Sequence, residues 1–337
     1  MGGFFLEHFW WGSVFLLNVP LVAVAIALTL LLAPPNAPNP QKHWDFPSSL
    51  YSLITLASLV LAIKSLANNW PVCAAAGVVF ACGALAFARR QARLSDPLLT
   101  FDIFRSRIFS GGALTAGGAM FCLAGLELLS TQKLQLVDAL SPLNVGLIIS
   151  VMALSAIPTS ILGGATLHHV GFLPLISGGF LFMAAGMALV VWTGGTMLPL
   201  LVCGLVLTGL GAGLAMSVSS TAIINAAPPH RAGMASGVEA VSYEFGTLLS
   251  IALTGSLVPL LMARELPPHL SELGTDALHH HSSHAAATSA YNAGYLFTIG
   301  GLSCFALLFA AITAWCFRDN PKSGDPHAAH QQKDRSP

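Results

Sequence analysis

The 337-residue chain carries 14 Lys and Arg against 14 Asp and Glu, together 8% of its residues, where a soluble domain carries about 25%. Hydrophobic residues make up 55% and the mean hydropathy is +0.73, too much apolar surface for one buried core, which excludes a water-soluble fold and a disordered body. Zero net charge leaves no basic footprint for nucleic acid.

A helix crossing about 30 Å of hydrocarbon needs about 20 mostly apolar residues whose backbone is hydrogen-bonded internally. The opening Met1-Gly-Gly-Phe-Phe-Leu-Glu-His lacks the basic n-region and small-residue cleavage site of a signal peptide, so the first helix is expected to be retained. Nine apolar segments follow, at roughly 12–32, 49–67, 71–88, 109–131, 142–163, 172–193, 197–224, 233–261 and 291–317. Polar breaks rich in Pro and Asn separate them, as at 33–40, Asn68-Asn69-Trp70-Pro71 and 226–230. Trp10, Trp11, Trp70 and Trp315 fall at span ends as interfacial anchors.

Gly111, Gly112, Gly117 and Gly118 in the fourth span, and Gly204, Gly209, Gly211 and Gly213 in the seventh, read as sites of close helix packing. The run Gly209-Leu-Gly-Ala-Gly213 is superficially similar to a phosphate loop, but apolar helix surrounds it and no strand precedes it. Cys73, Cys82, Cys122, Cys203, Cys304 and Cys316 lie in apolar stretches without metal-ligand or CxxC spacing and read as small apolar side chains. The 264–290 loop holds His279-His280-His281 and His284, but no carboxylate or Cys completes a ligand set at defined spacing, so no metal site is assigned. Residues 318–337 read as a disordered tail.

Alternate loops differ sharply in basic residues. One set holds Lys42, Arg89, Arg90, Arg93, Arg105, Arg107, Arg231, Arg318, Lys322, Lys333 and Arg335, whereas the other holds Lys133 and Arg264. The positive-inside rule makes the first set cytoplasmic, so nine spans put the C-terminus inside and the N-terminus outside.

Gly2-Gly3-Phe-Phe-Leu-Glu-His-Phe-Trp-Trp-Gly-Ser-Val-Phe-Leu-Leu-Asn18-Val19-Pro20 resembles the end of the antiporter motif and the next helix of the fourteen-helix drug:proton antiporters of the major facilitator superfamily. Within that group the likeness is to methyl viologen and quaternary-ammonium exporters. It continues through Asp96-Pro97-Leu98-Leu99 to Ser110, Leu126-Glu127 to Gln135, Leu140-Ser141-Pro142 to Gly146 and Gly237-Val-Glu239 to Gly246, covering practically the whole chain to residue 317. The resemblance implies an all-α integral membrane fold. In it, 1–32 is the last helix of the N-terminal half, 33–88 two linker helices, 89–108 a cytoplasmic loop, 109–317 the C-terminal six-helix bundle and 318–337 the tail. The family's first five helices have no counterpart, which agrees with the N-out parity. The second copy of the family's loop motif falls at 164–171, where His168 and His169 replace its Asp and Arg, so its gating salt bridge is not expected.

Charges within spans cost ~2.5–3.5 kcal/mol or more at the bilayer centre and are candidate functional groups. Four fall there: Lys64, Glu127, Glu239 and Glu244. Lys64, near a span end, has a stem long enough to snorkel. Glu127, also near an outer end, reads either as an interfacial carboxylate or as a functional one. In the span from 233, Ser236, Glu239, Tyr243, Thr247, Ser250 and Thr254 recur at helical spacing as one polar stripe, expected to face a bundle interior or aqueous cavity. Glu239 lies one turn from Tyr243, so a carboxylate and an aromatic ring share a face fit to hold a delocalised cation. Glu244 falls roughly 80° off the stripe but deeper, ~18 Å from the helix start. The alternative for either carboxylate is a structural hydrogen bond to a neighbouring helix.

The candidate substrate and proton sites are therefore Glu239, Glu244, Tyr243 and Glu127, with no metal and no cofactor. The expected partners are the lipid bilayer, protons and a cationic small molecule, in a bacterial inner membrane. The resemblance implies proton-coupled multidrug efflux by a chain that is an incomplete C-terminal portion, with a non-transporting remnant as the alternative. An enzyme is not expected, because His168-His169 and Glu127 lie near opposite membrane faces and no nucleophile can meet a base.

Overall fold

The computed structural model describes residues 2–32, 45–65, 69–94, 101–195, 197–228, 231–266, 278 and 284–318. The break at 33–40, Lys42, Asn68, the stretch 96–100, the His279-His280-His281 tract and the tail beyond Arg318 lie outside the described residues. The elements are α1 (Gly2–His8), α2 (Ser13–Leu16), α3 (Asn18–Leu32), α4 (Phe46–Ser65), α5 (Trp70–Gln91) and a 3-10 turn (Phe101–Arg105). Then come α6 (Arg107–Leu136), α7 (Pro142–Val170), α8 (Phe172–Trp192), α9 (Leu198–Ala226), α10 (Ala232–Glu265) and α11 (His284–Phe317). Among the described residues there is no strand, and nine helical stretches are long and apolar enough to cross a membrane.

The predicted spans recur with shifted ends. The first is broken near Leu17, where Pro20 supplies no N–H for the Leu16 carbonyl. α6 continues to Leu136, α7 to Val170 and α10 to Glu265, so Lys133, His168, His169 and Arg264 are helical rather than in loops. Polar residues in a last turn are good helix formers outside the hydrocarbon, and an apolar-run criterion stops short of them.

α6 to α11 form one bundle around a core that includes Leu126, Phe180, Met187, Tyr291, Tyr295 and Ile299. Glycine sets the close crossings. A Cβ at Gly209 would overlap the Met152 carbonyl and one at Gly213 that of Ala156, both on α7, while one at Gly211 would overlap the Gly179 carbonyl on α8. Gly246 of α10 sits likewise on the Gly117 carbonyl of α6. Small residues thus let backbones touch where lipid provides no hydrophobic drive. Hydroxyls add cross-helix bonds: Ser217 donates to the Ser160 carbonyl (2.9 Å), Ser250 to Phe121 (2.6 Å) and Ser303 to Ala184 (3.0 Å).

The bundle ends align as an alternating topology requires. At one face Arg231 meets Asp102 at 2.9 Å, Arg107 lies over the Trp315 ring at 5.2 Å and Phe172 stacks on Phe317. At the other, Lys133 in the last turn of α6 lies beside Tyr295 in the N-terminal half of α11. α4 and α5 pair as a hairpin that leans on α10, and α3 buries none of its residues.

Candidate functional site: a carboxylate-lined cavity

Glu127, Thr131 and Gln135 follow one another at four-residue spacing along α6 and therefore share a face. That face looks into a cavity of about 470 Å³ shared with α7, α9 and α1, a size within the range of small-molecule sites. Ser150 of α7 adds a hydroxyl, and Leu6, Leu123, Val145, Ile149, Met152 and Met216 make the rest of the wall largely apolar. Because α6 runs to Leu136, Glu127 is nine residues, ~14 Å, from its end, deeper than the predicted span placed it.

The rim is built where α1 meets α7. Pro142 opens α7 and Ser141 caps it, its hydroxyl accepting from the Asn144 N–H at 3.4 Å. Glu7 of α1 accepts from the next orphan N–H, that of Leu143, at 3.4 Å. Only a glycine lets α1 approach so closely, since a Cβ at Gly3 would run into the Pro142 carbonyl.

Glu239 and Tyr243 meet as their spacing predicts, although nothing in that contact assigns them a task. The Tyr243 hydroxyl has two acceptors in reach, Glu239 Oε1 at 3.1 Å and the Met216 carbonyl at 3.4 Å. Met216 also lines the cavity, so α9 stands between the Glu127 wall and the Glu239–Tyr243 couple. Further along α10 the stripe turns into packing: Ser250 and Thr254 are buried, and Ser250 bonds to α6. Of the two settings expected for the stripe, this half takes the bundle interior, because α10 crosses α6 at Gly246 and its polar face passes into that contact.

Glu244 is exposed and has no hydrogen bond or ion pair among the described residues. Lys64 is exposed in the last turn of α4, as snorkelling requires. Thr131, Gln135 and Ser150 escaped the sequence reading because uncharged polar residues in an apolar helix are common. The four-residue spacing from Glu127 was the available signal.

A model of the Major Facilitator Superfamily matches residues 1–250. The chain belongs to the major facilitator superfamily. It is 31% identical over 262 residues to the methyl viologen resistance protein SmvA of Salmonella typhimurium, covering 77% of this chain and 53% of SmvA. It is 31% identical over 266 residues to the multidrug efflux pump LfrA of Mycolicibacterium smegmatis, with 76% and 52% covered. With the multidrug resistance protein Stp of Mycobacterium tuberculosis it shares 26% over 284 residues, 83% and 53%. The chain thus spans about half the length of the curated relatives it matches.

His168 and His169 are exposed in the last turn of α7, with no partner among the described residues. No group of three metal-ligating side chains occurs among the described residues. A different charged cluster holds the other end of the bundle. Lys133 is 2% exposed, pairs with Asp138 at 2.9 Å and points its Nζ at the Tyr295 ring from 5.9 Å. Gly195, at φ +63°, packs on the Tyr295 ring and the Lys133 stem.

Proposed function

We propose that this chain is the C-terminal part of a proton-coupled exporter of lipophilic or quaternary cations in a bacterial inner membrane, with its C-terminus cytoplasmic. The observation that carries the reading is the Glu127 carboxylate in a cavity of about 470 Å³ with mostly apolar walls. Apolar walls accept the hydrocarbon of a lipophilic cation, and the carboxylate supplies the one charge that distinguishes it from a neutral molecule. The name of SmvA supports a cationic substrate, since methyl viologen is a quaternary dication. A proton and a cation that compete for one carboxylate each weaken the other's binding by the same factor, which is the thermodynamic requirement for exchange. Glu239 and Tyr243 offer a second carboxylate and an aromatic face across α9. Glu244, exposed on α10, is the third candidate; in the assembled transporter it faces the complementary half or its water.

Cation efflux driven by an imposed pH gradient, in vesicles bearing the chain joined to a complementary N-terminal half, tests this. Glu127→Gln abolishes the proton-driven component; its retention there overturns the assignment to Glu127, and its retention in Glu239→Gln and Glu244→Gln as well overturns exchange at a carboxylate of this chain. A second reading, that the chain alone moves nothing, is favoured by its matching only about half the length of its relatives. Efflux above the empty-vesicle rate by the chain on its own would refute it.

A further inference from the structure

The paired helices α4 and α5, which play no part in the proposed transport site, carry a basic pocket at one end. Arg89 and Arg90 occupy the last turn of α5 and Arg93 follows it. Arg90 already has its anion: its Nη2 lies 2.7 Å and its Nε 3.1 Å from the two oxygens of Asp45. Asp45 is also bonded by the Ser48 hydroxyl, which in turn accepts from Gln91 Nε2 at 2.7 Å. This chain of bonds ties the start of α4 to the end of α5 and makes one rigid wall.

Arg89 and Arg93 have no such partner among the described residues. Arg89 in the last turn and Arg93 just past it line the same pocket, where like charges repel unless an anion lies between them. They open onto a pocket of about 250 Å³ whose other lining is Arg90, Tyr51, Ala86 and Leu94. That volume suits a phosphate with its ester oxygens, and guanidinium forks match phosphate oxygens in geometry. A turn away, Ile54 and Leu85 are exposed apolar side chains leading along the hairpin from the pocket, a path for acyl chains that a free phosphate would not need. The pocket sits where α5 ends, at the boundary of hydrocarbon and water, the depth of lipid headgroups.

We propose that this pocket binds the phosphate of a phospholipid with a net negative headgroup. The assignment is independent of the transport reading.

The test uses the full chain purified in detergent, doped with phosphatidylglycerol or phosphatidylcholine and read for retained lipid by native mass spectrometry. Phosphatidylglycerol is retained over phosphatidylcholine, and Arg89→Ala/Arg93→Ala lowers its apparent affinity roughly 25-fold, about fivefold for each arginine. Arg264→Ala, at the far end of α10, changes nothing. Gel-filtration profiles identical to the parent establish that the double variant is folded. Equal retention of the two lipids, or an unaltered preference in the folded double variant, overturns the proposal. So does displacement of phosphatidylglycerol by millimolar inorganic phosphate, which would make the site one for a free anion.

Discussion

Replacing Asp138 should destabilise the chain more than replacing Lys133, although Asp138 is by far the more exposed of the two. Their side chains are 37% and 3% accessible, and Nζ to Oδ2 is 2.9 Å. Lys133→Met keeps the length and the packing of the stem but strands only a carboxylate already in water, so the loss resembles that of a surface pair, up to about 1 kcal/mol. The Tyr295 cation–π contact adds about 1 kcal/mol, for a total near 2. Asp138→Asn instead leaves a buried ammonium with no charged partner, its Nζ 5.9 Å from the Tyr295 ring centroid. Breaking a buried pair from that side costs about 3–5 kcal/mol. Combining both changes removes the stranded charge, so the double variant falls back toward Lys133→Met, a strongly non-additive cycle. Unfolding of the purified chain by dodecyl sulfate in mixed micelles, followed by tryptophan fluorescence, gives the order. If Asp138→Asn proves no more costly than Lys133→Met, the ammonium reaches water by another route and the burial argument is wrong.

Other substitutions probe the remaining joints. Gly246→Leu drives a side chain into the Gly117 carbonyl and should cost at least the ~1–3 kcal/mol of overpacking, seen as loss of a monodisperse gel-filtration peak, whereas Gly300→Leu, with open space around it, should not. Tyr243→Phe removes the bond to Glu239 and should cost about 1 kcal/mol, read in the same dodecyl sulfate unfolding assay. The Arg90 guanidinium and Ser48 hydroxyl hold the Asp45 carboxyl down at about 2. Because that value lies below the ordinary 3.8, the stability it contributes is full above about pH 4 and is lost as pH falls toward 2. Protection factors at the start of α4, corrected for the intrinsic exchange rate at each pH, should therefore fall over that interval in the parent and change less in Arg90→Ala.

The number and order of the spans were legible because lipid imposes a length and a polarity on every crossing, and composition alone meets that demand. The glycine joints in α9 were legible for a related reason: without a hydrophobic drive between helices, close approach needs small residues. Helix ends were not, since α6, α7 and α10 continue past the hydrocarbon in residues that hydropathy treats as loop. That one error of register hid one feature and misplaced another. Lys133 passed for a solvated loop cation although the extra turn carries it under α11, and Glu127, which reads equally as an interfacial or a functional carboxylate, lies nearer the middle of the span once the same turn is added.

The azimuth of α10 was the harder problem, because a helical wheel assigns one inward direction to a whole helix. α10 is 34 residues, ~51 Å, and crosses its neighbours at an angle, so it faces α9 near Tyr243 and α6 near Gly246 and Ser250. A single polar stripe therefore divides into a carboxylate–tyrosine couple and a seam of helix-packing hydroxyls. The rotation leaves Glu244 on the exposed side, ~18 Å from the start of α10. A carboxylate at that depth facing acyl chains would cost ~2.5–3.5 kcal/mol or more, so the surface it occupies is one that water or protein covers in the membrane. Thiol labelling of Glu244→Cys in membranes decides between these faces. Reaction with a charged, membrane-impermeant maleimide places it on water, protection that a dodecyl sulfate wash relieves places it under protein, and labelling only by a lipophilic maleimide would refute the argument from charge.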